Sequence, residues 1–464
     1  MKFWEGGGIT DLLFISAILV AAVVIRTLVR PVRRMAIPDA VTAGTLGFIL
    51  GPNILGWLQF DQDVLEMIVY HGLALVFISV GLQAPVKTAA TGGARSMAIG
   101  IPTLALIQGF VGLIAILIWA ALSGEPQHPG FGFLLPLGFS QGPGQALSLG
   151  SAWEAEGLVD GGQIGLIFAA LGFAYCCLIG VPLVEFAKWR GWTTDKGRSE
   201  TDEEDNFEAP RPPPLTPPPG GQEPLTWQLV CIGGVYLATF GILMGLSEVL
   251  VNKPKLATLI WGFHFIVASL VAMGARKMVG VLKIPNRLND GLLGRIAGTV
   301  VDFTTTAALC AVQLPVLEAY LVPILSITIA GGTITLILCL WLAKRAFPSA
   351  PFEHALVLFG CSSGTLPTGL ALLRILDPEL KGPVATSTVL GATGAIVMGA
   401  PLLLVIMPMP VFGWPGNFPG SIYATLGAMC IYLVVLGLVW RLAGPLRFRP
   451  LSSLWPLGKD YRRH

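Results

Sequence analysis

Apolar runs of about 20 residues, the length that crosses a bilayer as a helix, recur along the chain. The short alternating segments of a membrane β-barrel do not occur. The pattern predicts spans at 10–29, 37–57, 64–83, 96–122, 162–187, 226–250, 256–275, 296–314, 316–343, 383–408 and 421–442, eleven in all. Two further segments, 131–153 and 352–376, are apolar but interrupted by Gly, Pro, Ser and Thr. Non-helical backbone at membrane depth is tolerated only inside protein or beside a water-filled cavity. Both segments are therefore read as re-entrant hairpins facing the interior. The expected fold class is an all-α polytopic membrane protein.

Lys and Arg in the short loops set orientation. They follow the odd-numbered spans: Arg26 to Arg34 after the first, Lys87 and Arg95 after the third, Lys188 to Arg198 after the fifth. Arg276 to Arg287, Lys344 with Arg345, and Arg441 to Arg463 continue the series. Only Lys253 and Lys255 break it. The expected topology has the N-terminus outside and the C-terminus cytoplasmic. The opening stretch "MKFWEGGGITD" has no basic region before its apolar run, so the first segment is read as a retained helix and not a signal peptide.

The hydrophilic stretch 191–225 is acidic and then proline-rich, a composition that buries no core and reads as a disordered cytoplasmic linker. It divides the chain into a membrane half at 1–190 and a second at 226–408, with an extra helix and basic tail at 409–464. The halves look related. "LGFAYCCLIGVPL" at 171–183 matches "LGATGAIVMGAPL" at 390–402 in five of thirteen positions without a gap. "SQGPG" at 140–144 stands opposite "SSGTLP" at 362–367, and Gln83 ends span three as Gln313 ends span eight. Each half reads as four spans, a hairpin and a fifth span. Five is odd, so the second repeat is inverted relative to the first. Inverted repeats with broken helices in corresponding places point to a secondary transporter's binding site.

Composition sharpens this picture. Of the 464 residues, 54% are hydrophobic and 12% charged, half the charge of a soluble protein at about 25%. A net charge of +2 gives no reason to expect nucleic acid. The seven cysteines, Cys176, Cys177, Cys231, Cys310, Cys339, Cys361 and Cys430, lie in apolar segments without CxxC spacing and read as small buried hydrophobes. No HExxH or paired intramembrane Asp motif suggests an enzyme, and no cofactor is expected beyond a coupling ion. Trp192, Trp227, Trp414 and Trp440 fit interfacial aromatic belts.

The chemistry concentrates in the hairpins. Unwound backbone and Ser/Thr hydroxyls offer oxygens to a hard cation, and half-helix N-termini offer N–H groups to a carboxylate. The substrate-binding candidates are Ser140, Gln141, Gly142, Gly144 and Gln145 with Ser362, Ser363, Gly364, Thr365, Pro367 and Thr368. The candidate Na⁺ ligands are Ser140, Thr365, Thr368, Gln83, Gln313 and Asp302, the last because an intramembrane carboxylate is costly. His264 reads as a packed histidine.

"IPDAVTAG" (37–44), "FISVGLQA" (77–84), "SQGPGQALSLGSAW" (140–153) and "SSGTLPTGLA" (362–371) resemble, in order, motifs of the bacterial sodium/glutamate symporter family. The resemblance implies Na⁺-driven uptake of an acidic amino acid across a bacterial inner membrane, a homodimer, and two inverted five-helix repeats. It places Ser140, Gly142 and Gly144 in one hairpin tip and Gly364, Pro367 and Thr368 in the other, meeting at the substrate. Span eleven is additional to the family's ten. Spans three to five and eight to ten, with the hairpins, form the expected moving core. A proton-coupled anion carrier using Asp302 or His264, and a channel, are the alternatives the residues leave open.

Overall fold

The computed structural model describes residues 8–29, 32, 37–84, 91–193, 223–281, 288–414, 416, 418–444 and 446. Most of the linker at 191–225 and the basic tail therefore lie outside the described residues. All regular structure among the described residues is helical. Among the described residues, eight helices are long and apolar enough to cross a membrane, and a bent pair makes a ninth. The protein is a polytopic helical membrane protein.

The chain runs through α1 (Gly8–Leu28), α2 (Asp39–Leu50), α3 (Gln62–Gly81) and α4 (Gly92–Ser123). There follow α5 (Gly130–Pro136), a π turn (Leu137–Gln141), α6 (Pro143–Glu154) and α7 (Gly161–Arg190). Beyond the linker come α8 (Pro224–Val249), α9 (Pro254–Gly262), α10 (His264–Val281), α11 (Asp290–Cys310) and α12 (Leu314–Ala319). The last elements are α13 (Leu321–Ala346), α14 (Pro351–Ser363), α15 (Leu366–Leu373), α16 (Pro383–Pro401), α17 (Pro408–Phe412) and α18 (Phe418–Ala443). Local chemistry sets many ends. Thr91, Asp61 and Asn289 cap α4, α3 and α11 with side-chain oxygens that accept from backbone N–H groups, as such residues do at helix starts. Gly124 and Gly191 close α4 and α7 in the left-handed conformation, the usual glycine stop.

Three expected spans differ from the pattern. Span eight, expected at 296–314, is α11, which carries Asp290, Arg295 and Asp302 and is not among the helices apolar enough to cross. Span two, expected at 37–57, is the 12-residue α2. Gly51 and Pro52 end it, and Asn53 pins the following turn by donating to Val312 O (2.8 Å) and accepting from Leu314 N (3.2 Å). Span seven, expected unbroken at 256–275, bends by 64° between α9 and α10. Side chains from neighbouring helices take the carbonyls freed there. Tyr70 Oη donates to Trp261 O (2.8 Å) and Ser148 Oγ to Gly262 O (2.8 Å). A buried polar backbone group needs such a partner. His264 is buried, stacked on Tyr70 and bonded through Nε2 to Tyr70 O (3.0 Å), so it packs as expected.

The first arms of the two broken segments, α5 and α14, are almost wholly enclosed. All seven residues of α5 and all of α14 except Pro351 are buried. Helices α4 and α7 run the length of both. Along α4, Gly93 faces His354, Gly100 faces Leu358, Gln108 bonds Ser362 O, Gly109 faces Phe133 and Gly112 faces Gly132. Along α7, Gly161 faces Gly150, Gly165 faces Ala146, Gly172 faces Phe139 and Ser363 O, and Gly180 faces Leu372. The pair α5–α6 thus enters from one end of the bundle and α14–α15 from the other. The Gly112–Gly132 contact brings backbone against backbone, which only glycine permits.

A separate apolar cluster joins α3, α8, α10 and α11 through Ala74, Ile78, Leu82, Ile232, Val235, Ala268, Ala272 and Leu293. Trp440 departs from the expected interfacial belt. It is 2% exposed, and its Nε1 donates to Ser96 Oγ (3.1 Å), which fastens α18 to α4.

Candidate functional site

Each broken segment stops being helical where its residues require it. At Gly142 the backbone takes φ +92° and ψ 174°, and Pro143 then opens α6 at its first turn. At the second break Gly364 takes φ −145° and ψ −108°, neither helical nor extended, Thr365 is extended at φ −150° and ψ 175°, and Pro367 sits in the first turn of α15. Proline is tolerated there because the first N–H groups of a helix have no intrahelical partner. The free N–H groups of Gly144, Gln145 and Thr368 therefore lie at two helix N-termini, where the dipole favours negative charge.

The two breaks meet. A Cβ on Gly142 would lie 3.0 Å from Thr365 Cγ2. Ser140 Oγ donates to Gln108 Oε1 (2.7 Å) and lies 3.2 Å from Ser362 O. Gln108 Nε2 donates to Ser362 O (2.7 Å) and Thr335 Oγ1 (2.9 Å). Thr365 Oγ1 and Thr368 Oγ1 stand 3.2 Å apart. Two buried polar atoms here, Ser362 Oγ and Gln145 Oε1, have no hydrogen-bond partner. Such atoms mark places where a water, an ion or a ligand group belongs.

The remaining candidates are distributed unevenly. Gly144 packs on Leu73, and Gly364 lies against Thr368. Ser363 Oγ is spent on Phe359 O (2.7 Å), so its hydroxyl hydrogen turns away from the tip. Gln141 is half-buried, and Pro367 is exposed. Gln83 donates to Ser79 O (3.4 Å) on its own helix, and the Gln313 N–H donates to Gln163 Oε1 (3.2 Å). Asp302 is exposed on α11. None of these last three makes a hydrogen bond to a tip among the described residues. The structure thus joins Ser140 with Ser362 and Thr365 with Thr368, and leaves Gln83, Gln313 and Asp302 apart. No group of three or more His, Cys, Asp or Glu gathers for a metal among the described residues. A cation held at the tips would be held by hydroxyl, amide and carbonyl oxygens.

Gln108 and Thr335 are the site residues that sequence reasoning missed. Gln108 did carry a signal, as the lone amide in the apolar run "IPTLALIQGFVGLIAIL".

The second arm of the first broken pair also closes one end of the bundle. Besides the Ser148–Gly262 bond, Ala152 packs on Gly262, and Lys255 Nζ meets Glu156 Oε2 at 2.5 Å. In comparisons with known proteins, no protein-family model and no curated protein matches the chain.

Proposed function

We propose that the protein is a secondary-active transporter that takes up glutamate or a similar small carboxylate together with Na⁺ by alternating access. The observation that carries this reading is the meeting of two helix breaks entering from opposite ends, at Gly142 and Thr365. Two half-helix N-termini there suit a carboxylate, and the neighbouring hydroxyl and carbonyl oxygens suit a hard cation. The reading keeps the resemblance to the sodium/glutamate symporter family as its premise for Na⁺ and for a homodimer.

On this reading α5–α6 and α14–α15 are re-entrant hairpins in two inverted five-span repeats, followed by α18 as an eleventh span. The packing of exchanged partners supports the inversion. Span two of the first repeat (α2) packs on span three of the second through Gly44 and Leu309. Span two of the second repeat (α10) packs on span three of the first through Ala272 and Gly81. The apolar cluster shared by α3, α8, α10 and α11 favours α3 and α11 as parts of the static scaffold, whereas spans three and eight were expected in the moving core. The moving part is then α4, α7, α13, α16 and the two hairpins. Neither His264 nor Asp302 hydrogen-bonds to a tip among the described residues, so neither favours the proton-coupled alternative.

The deciding experiment is counterflow of labelled amino and dicarboxylic acids in proteoliposomes, with and without Na⁺. Saturable, Na⁺-dependent uphill accumulation is expected. Flux that never saturates would identify a channel, and pH dependence without Na⁺ dependence would identify a proton carrier.

Two further outcomes are expected. Thr368→Val and Ser140→Ala should each weaken apparent Na⁺ or substrate affinity by roughly 5- to 150-fold, since a buried partner is left unpaired at about 1–3 kcal/mol. Wild-type affinities in both variants would leave the tips as packing devices. Single cysteines in 57–63 and 409–418 should react with impermeant thiol reagents from outside, whereas those in 195–220 and 455–464 should not. External labelling of the C-terminal positions would overturn the orientation.

A further inference from the structure

We infer that Gln108 is a positioning residue that ties the two hairpin tips into one unit. Its hydrogen bonds fix its orientation without ambiguity. Thr335 has one hydroxyl hydrogen, and it goes to Gly331 O at 2.7 Å. The Gln108 atom facing Thr335 must therefore be the donor, the NH₂ group. Ser362 O only accepts, so the second NH₂ hydrogen goes there. Oε1 is left to accept from Ser140 Oγ, whose single hydrogen takes the 2.7 Å contact over the 3.2 Å one.

One side chain, 1% exposed, thus holds tip one through Ser140, tip two through Ser362 and the neighbouring helix α13 through Thr335. Both amide hydrogens are used. Leucine at this position would fill much of the space and hold neither tip. Methionine, close to glutamine in length and without a donor or acceptor of this strength, would likewise hold neither. The consequence for transport, that a ligand seated at one tip is felt at the other, rests on the proposed function. The tie itself does not.

Cys361 reports on tip two. It is 4% exposed, one residue before Ser362, and its Sγ packs against Gly369 between α14 and α15. Cys310, 3% exposed on α11 against Gly47, is the internal reference. The experiment measures alkylation rates at both cysteines by mass spectrometry in the full-length protein reconstituted in liposomes, without substrate. Gln108→Leu and Gln108→Met should raise the Cys361 rate by about tenfold or more, the population shift expected when a buried bonded tip is released. Cys310 should be unchanged. Thr335→Val removes a buried hydrogen bond of the same helix but leaves both tips tied, so its Cys361 rate should stay within about threefold of wild type. An unchanged Cys361 rate in Gln108→Met overturns the assignment. So does a Thr335→Val rate equal to that of the Gln108 variants, which would reduce Gln108 to general packing. If Gln108→Leu fails to fold, Gln108→Met decides alone. Failure of the counterflow assay would sink the transport reading without altering these rates.

Discussion

Gly142→Ala abolishes uptake while the protein remains folded in the membrane. Two effects combine to produce that expected result. At φ +92° and ψ 174° the backbone lies in a region that is essentially closed to side-chain-bearing residues, at about 1–3 kcal/mol. The new Cβ would also stand 3.0 Å from Thr365 Cγ2. Relieving either strain parts the two tips, and the parting is local. Gly144→Ala, at the second residue of α6, keeps a helical backbone and meets only Leu73, at 3.0 Å from Cδ1 and 3.1 Å from Cβ, and should be milder. Gly124→Ala, also at positive φ (+75°) but with nothing within 4 Å, is the control. It should lower thermal stability slightly and leave uptake intact. Initial uptake rates per monodisperse protein give the readout. Wild-type rates in Gly142→Ala would mean that tip contact is not on the transport path.

The second large effect is expected at the seal between α6 and the bent α9–α10 span. The Glu156 side chain is 3% exposed, whereas that of Lys255 is 61% exposed. The pair is therefore asymmetric. Lys255→Met leaves a buried carboxylate without its cation, and Glu156 Oε1 already lacks a hydrogen-bond partner. Glu156→Gln leaves only a solvated lysine. Breaking a fully buried pair costs several kcal/mol, and an exposed partner reduces that by solvent screening. About 1–3 kcal/mol for Lys255→Met and under about 1 kcal/mol for Glu156→Gln are the expected costs. If the proposed alternating access opens this side by parting α6 from α9, Lys255→Met also raises the accessibility of a cysteine at Ser148. Thermal shift and thiol labelling measure the two. Equal destabilisation by both variants would show that the ion pair is not what seals this end.

Much of the architecture was legible in the residues because its causes are local. A run of apolar residues makes a span wherever it sits in the fold. Gly142 with Pro143, and Gly364 with Pro367, break helices through their own backbone restrictions. The membrane class and the places of both breaks therefore followed from sequence. Three other features did not. The bend at Phe263 depends on Tyr70 and Ser148 arriving from α3 and α6 to take two carbonyls. Trp440 turned inward because Ser96 waits on α4, whereas an interfacial tryptophan has the same sequence surroundings. Gln83 and Gln313 match in order along the chain, yet each sits at a helix end away from the tips. The common cause is rotation about the helix axis. Lipid is as apolar as the protein interior, so a uniformly apolar helix carries no hydrophobic stripe that says which face turns inward. Gln108 could be seen as an odd amide in such a helix. That it faces both tips was decided only when α4 packed between them.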